Sequence, residues 1–158
     1  MIYKLYYICK LCADVEGWLS TADNNKKSRV LLVDDEPDIV YLVTTGLERK
    51  GFAVDCYTDP VLALQNFKAG LYHLLILDIK MPLIDGIELF NRIEKVDDKV
   101  KVCFFSASAN FTSNCKDLFK DSNKFLFVSK PISISKMIEQ IERFLGTWQY
   151  VEGITMNA

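Results

Sequence analysis

Aspartates stand where two apolar runs of this chain give out. Residues 30–33 lead into Asp34-Asp35-Glu36, and residues 74–77 lead into Asp78. Two more runs, 102–105 and 125–128, end in Ser106-Ala107 and in Ser129-Lys130-Pro131. If one edge gathers these ends, three aspartates, a hydroxyl and an ammonium meet there. Ionised carboxylates at close quarters repel one another, and some would stay protonated unless a cation joined them. A hard divalent ion with oxygen ligands removes that conflict, and Mg2+ suits a few carboxylates together with water and a phosphate. Three negative charges against two from the metal and one from Lys130 come out neutral. A phosphoryl group would then be met by the metal and Lys130. Asp78 is the candidate nucleophile, because carboxylates form aspartyl phosphates, and in-line transfer asks mainly for positioning and charge neutralisation.

The elements between these points can bring them together. The four runs are continuously apolar, which implies strands buried on both faces, as parallel strands between helical layers are. Residues 53–57 form a fifth, weaker candidate, with Asp55 in its middle as an edge strand could carry. Pro37 suits the first turn of a helix reaching Lys50, with Gly51 stopping it. Asp59-Pro60 opens a helix to about Lys68, and helical spacing of Ile87, Phe90 and Ile93 follows Gly86. Ser133 caps a last helix whose Ile134, Met137, Ile138, Ile141 and Leu145 share a face, ended by Gly146. Residues 111–120 are expected to be helical with weak patterning. Strand and helix alternate five times, so the fold expected is α/β, a doubly wound five-stranded parallel sheet with helices on both faces. Ligands of such sheets bind beyond the carboxyl ends of the strands, where connections diverge.

Composition narrows the classes. Of 158 residues, 50% are hydrophobic and 25% charged, which excludes a disordered chain, a collagen-like fibre and a disulfide-stapled miniprotein. A net charge of −2 offers no basic surplus for nucleic acid or an anionic membrane. Lys4, Lys10, Asp14 and Glu16 interrupt the apolar N-terminus, so no run approaches the roughly 20 residues that span a bilayer. Nor does it have the apolar core and cleavage site of a signal peptide. The five cysteines, at 9, 12, 56, 103 and 115, are odd in number, and three lie in or beside apolar runs, which favours a reducing cytoplasm. Cys9 and Cys12 have no second ligand pair for zinc, and His73 is the sole histidine. The expected organisation is an N-terminal extension over 1–27, a folded domain over 28–146 and a tail over 147–158.

Four segments together, LLVDDEPD (31–38), LLILDIKMPLIDG (74–86), CFFSASA (103–109) and FVSKPIS (127–133), resemble the receiver domain of two-component response regulators. The resemblance runs from about Ser28 to Leu145 and implies a flavodoxin-like strand order 2-1-3-4-5. It implies that Asp78 accepts the phosphoryl group. Asp35 would ligate Mg2+ directly, Asp34 more through water, and the main-chain carbonyl of Lys80 would complete the protein's share. Ser106 matches the switch hydroxyl, with Ala107 beside it at the phosphate site. Lys130 matches the lysine that pairs with the phosphoryl group, Pro131 would follow a cis peptide bond, and Phe127 stands at the switch aromatic. Ser at 106 keeps the hydroxyl of the commoner Thr and loses its methyl. Lys80 and Ser108 flank the site as a long cation and a small neighbour.

The resemblance implies a receiver, expected to be of the stand-alone type, a regulatory phosphoacceptor and not an enzyme. Its expected donor is a sensor histidine kinase or phosphotransfer protein, chosen through Ile39, Tyr41, Leu42 and the loop after Lys130. Its output is a downstream protein or a homodimer engaged through residues 107–145. A haloacid-dehalogenase-type phosphohydrolase fits less well, since its nucleophile follows the first strand in a D-x-D pattern and a cap domain is wanting. A flavodoxin-like cofactor carrier would need a Ser-, Thr- or Gly-rich phosphate loop where the acidic residues 34–36 stand.

Overall fold

In a computed structural model the structure describes residues 28–107 and 123–146. The expected helix over 111–120, both terminal segments, Cys9, Cys12, Cys115 and Ser108 lie outside the described residues. The described chain runs β1 (Arg29–Val33), α1 (Pro37–Arg49), β2 (Ala53–Tyr57), α2 (Pro60–Asn66), β3 (Leu74–Asp78), α3 (Gly86–Glu94), β4 (Lys101–Ser106), β5 (Phe125–Ser129) and α4 (Ile134–Leu145). The strands form one parallel sheet in the order β2-β1-β3-β4-β5.

Alternation along each strand sorts the side chains into two cores. Leu31, Val33, Leu75, Leu77, Val102 and Phe104 face one way and meet Ala63 of α2 and Leu89, Phe90 and Ile93 of α3. Val30, Leu32, Leu74, Ile76, Cys103 and Phe105 face the other way and meet Val40, Val43 and Leu47 of α1 and Met137, Ile138 and Ile141 of α4. β3 is buried along its whole length. Asp55 is tolerated in β2 because the strand is at the edge and the carboxylate is fully engaged. It accepts from Arg29 Nε and Nη2, both at 2.8 Å, and from Tyr72 Oη at 2.9 Å.

Local signals set the helix ends. The Asp59 carboxylate accepts from Val61 N and Leu62 N, and Asp85 accepts from Glu88 N, both as N-caps. Ser133 caps α4 and Gly146 closes it in a left-handed conformation. One helix is shorter than its sequence predicts. α2 stops at Asn66 instead of Lys68, because Phe67 turns to extended backbone and its ring stacks on Tyr72 at 5.5 Å.

The chain winds outward from β1 to β2, then returns across β1 to place β3 on the other side. Connections therefore diverge between the carboxyl ends of β1 and β3, which opens a crevice there. Asp34 and Asp78 stand at those two ends.

Candidate functional site

Asp34 is the first residue past β1 and is fully buried. Its main chain stays tied to the sheet through Asp34 N–H to Tyr57 O at 3.2 Å, and its Oδ1 accepts from Glu36 N at 3.0 Å. That second bond turns the chain into α1, with Pro37 in its first turn. Asp35 is half-buried beside it. Asp78 is the last residue of β3, in register with Phe105 of β4, and it too is buried. Behind it, Gly86 N donates to Ile79 O at 3.0 Å, so the start of α3 lies against the Asp78 main chain. Lys80 is exposed on the loop that follows. Ser106 ends β4, is buried, and pairs in register with Ser129 at the end of β5. Ala107 follows it at the surface. Lys130 N–H donates to Ser106 O at 2.7 Å, which binds the two loops together, and the Lys130–Pro131 peptide bond is cis.

The Lys130 ammonium joins these segments. Nζ lies 2.8 Å from Asp34 Oδ2, 2.9 Å from Asp78 Oδ1 and 3.2 Å from Glu36 Oε1. It also sits over the Phe105 ring, 4.8 Å from the centroid. The Lys130 side chain is 12% exposed, and those of Asp34 and Asp78 are 0% and 8% exposed, so the central pairs are poorly hydrated. Glu36 reaches in from solvent.

Burial raises the Asp34 pKa, and the Asp78 charge adds to that, while hydrogen bonds from Lys130 and Glu36 N oppose it. For Lys130, burial pulls downward but the bonds to Asp34 and Asp78 win and hold the ammonium above the ordinary lysine range. Its pairing therefore stabilises the fold fully below the unfolded lysine value of 10.5 and is lost only as pH rises through the higher folded value. At neutral pH the ammonium is charged.

One positive charge thus faces Asp34, Glu36 and Asp78, with Asp35 adjacent. The excess negative charge and the hard oxygen donors fit a magnesium-sized cation. Among the described residues no three acidic, histidine or cysteine side chains are already gathered as a closed metal cage. Lys130 stands between Asp34 and Asp78 instead, and a carbonyl and waters would have to complete a coordination sphere.

Phe127, in β5, is half-buried. Its ring stacks on Phe104 at 5.5 Å, and Phe104 in turn packs edge-on against Phe90 of α3 at 5.9 Å. Of the residues singled out from sequence, the structure brings Asp34, Asp78 and Lys130 into direct contact. Asp35, Lys80, Ser106 and Ala107 surround them on adjoining loops, and Phe127 lies in the sheet below. Two participants were not foreseen in these roles. Glu36 is a third carboxylate on Lys130, and Phe105 supplies the ring beneath it. Glu36 carried a signal, since it continues the acidic pair; Phe105 looked like any buried strand residue.

The sequence profile of the response regulator receiver domain matches residues 30–142. The chain belongs to this family. CpdR of Brucella abortus, a response regulator receiver protein, is 30% identical over 118 residues, covering 74% of this chain and 96% of CpdR. The transcriptional regulatory protein PrrA of Mycobacterium leprae is 29% identical over 117 residues, 74% of this chain and 49% of PrrA. The chain thus matches about half the length of PrrA. The crystal structure of the response regulator TrrA of Thermotoga maritima, in complex with Mg2+-BeF, superposes with a TM-score of 0.64 at 31% identity, covering 74% of this chain and 98% of TrrA. The sheet order and flavodoxin-like topology expected of a receiver are therefore those found. Among the described residues, no helix is long and apolar enough to cross a membrane.

Proposed function

We propose that this receiver takes a phosphoryl group from a histidine kinase or phosphotransfer protein onto Asp78 and uses it to switch a protein-binding face. The observation that carries the proposal is the buried Lys130 ammonium held between Asp34 and Asp78 at the divergence of the sheet. In the transfer, a carboxylate oxygen of Asp78 forms a bond to phosphorus as the bond to the donor imidazole nitrogen breaks, and the electron pair stays on the imidazole. Bound Mg2+ would supply charge neutralisation, and Asp34, Asp35, Asp78 and the Lys80 carbonyl are the residues to hold it. Lys130 passes from the Asp78 carboxylate to a phosphoryl oxygen, while Ser106 and Ala107 provide a hydroxyl and a main-chain N–H. The chain acts as a regulatory phosphoacceptor in this reading, without turnover of an external substrate. Cytoplasmic residence follows from the kinase partner.

Metal binding gives the first test. The carboxylate partners of Lys130 are Asp34, Glu36 and Asp78, so Asp35→Ala leaves that network in place. Mg2+ at a hundred times its Kd is expected to add about 2.7 kcal/mol to the stability of the wild type. Asp35→Ala should remove most of the rise in Tm. A rise of wild-type size in the variant would place the metal elsewhere.

The output is read from Ser106 and Phe127. A phosphoryl oxygen that draws the Ser106 hydroxyl inward opens room for the partly buried Phe127 ring, and burying what remains exposed of it would add on the order of 1 kcal/mol at most. The resulting change is proposed to run through residues 107–145 and to present them to a downstream protein or a second copy. Hydrogen exchange with and without beryllofluoride is expected to differ over β5 and α4. Changes confined to 34–38 and 78–82 would contradict the switch.

A further inference from the structure

We propose that Phe105 is a positioning residue for Lys130, its ring face holding the ammonium at the phosphoryl site when the carboxylates are engaged elsewhere. The inference rests on the phosphoacceptor reading above. Phe105 immediately precedes Ser106, lies in register between Asp78 and Val128, and is 4% exposed. Its side chain belongs to the core beneath α1 and α4, so it is fixed independently of the loops at the site. The Lys130 Nζ stands 4.8 Å from its centroid, within reach of the negative face of the ring.

The other partners of the ammonium are less constant. Asp34 and Asp78 are proposed metal ligands, and a divalent cation there competes for their oxygens and repels the ammonium. Glu36 is 64% exposed, so water competes for its carboxylate. The ring binds neither the metal nor the phosphoryl group, and it attracts the ammonium in both states. An aliphatic side chain at 105 would fill most of the same core volume, leaving a small void, and offer no negative face. The contribution of Phe105 is therefore expected chiefly in the loaded state, where Lys130 must meet a phosphoryl oxygen.

A graded replacement separates this role from packing. Mono-, di- and trifluorinated phenylalanine placed at 105 alone change ring volume little while progressively withdrawing electron density from its face. Affinity for beryllofluoride in the presence of Mg2+ is expected to weaken stepwise along the series, by about tenfold at the end of it. Phe105→Leu is expected to weaken it at least as much. In the metal-free protein the Lys130 ε-methylene protons should show an upfield ring-current shift in NMR spectra, which Phe105→Leu abolishes. A flat affinity across the fluorinated series, with wild type binding normally, would overturn the role of Phe105. So would the absence of the ring-current shift from the wild type. Failure of the wild type to bind beryllofluoride at all would instead overturn the phosphoacceptor reading.

Discussion

Asp78→Asn is expected to reduce phosphoryl uptake from acetyl phosphate to background while leaving the fold intact. The amide is nearly isosteric with the carboxylate, and its carbonyl oxygen can still accept from Lys130, which now stands 2.9 Å from Asp78 Oδ1. The nucleophilic anion, however, is gone, and the two other carboxylates on Lys130 are already engaged. Asp34 is fully buried and spent on Lys130 and Glu36 N. Glu36 reaches Lys130 from the solvent side. Losing the Asp78 charge also removes one of the causes that raise the Asp34 pKa, so Asp34 should ionise at lower pH in the variant. Stability is expected to change by about 1–2 kcal/mol, as for an ordinary substitution. Uptake at wild-type extent in Asp78→Asn, measured by scintillation or phosphate-affinity gel, would assign the chemistry to another residue.

Gly86→Ala is expected to cost about 3–5 kcal/mol and to disable the site as well, because the collision is with Asp78 itself. A Cβ at 86 would fall on the Asp78 carbonyl oxygen, with Asp78 C at 3.0 Å and Ile79 Cα at 3.1 Å. These are main-chain atoms of the last residue of β3, a strand buried on both faces, and of the buried residue after it, and they cannot move aside alone. Gly46→Ala makes the contrast. There the new Cβ meets Ile134 Cγ2 at 2.5 Å and Ile138 Cδ1 at 2.9 Å, side-chain methyls and not main chain; Cδ1 can change rotamer, whereas the β-branched Cγ2 yields only with a small shift of α4. The gain in helix propensity, about 1 kcal/mol, offsets part of that crowding, and no main-chain atom of the sheet is struck. Urea unfolding of the two variants should therefore separate sharply. Comparable losses would mean that α3 does not press on Asp78 as described.

The strands were legible because burial on both faces writes itself as uninterrupted apolar sequence. Their ends were less so. Arg29, Asp78, Lys101, Ser106 and Ser129 each extend one end of a strand by one residue, since main-chain pairing does not depend on the polarity of the side chain. α1 and α4 matched their caps and breakers closely, whereas α2 ended early when Phe67 stacked on Tyr72, a contact that no local pattern announces. The acidic residues and Lys130 could be found at the sheet edge from topology alone. That Glu36 joins Lys130 across 94 residues could not, and neither could the ring beneath the ammonium. Both depend on where a long side chain ends in space, and β4 conceals Phe105 as one more buried apolar residue.

Asp78 is proposed to accept one phosphoryl group in a metal-dependent reaction. The measurement that tests it most directly is intact-mass and peptide-level mass spectrometry of the wild type after exposure to acetyl phosphate, with Mg2+ and with chelator. A single added phosphoryl group is expected with Mg2+, located on the peptide containing Asp78 and absent when the metal is chelated. Equal uptake under chelation, or a phosphoryl group on any other residue, would contradict it.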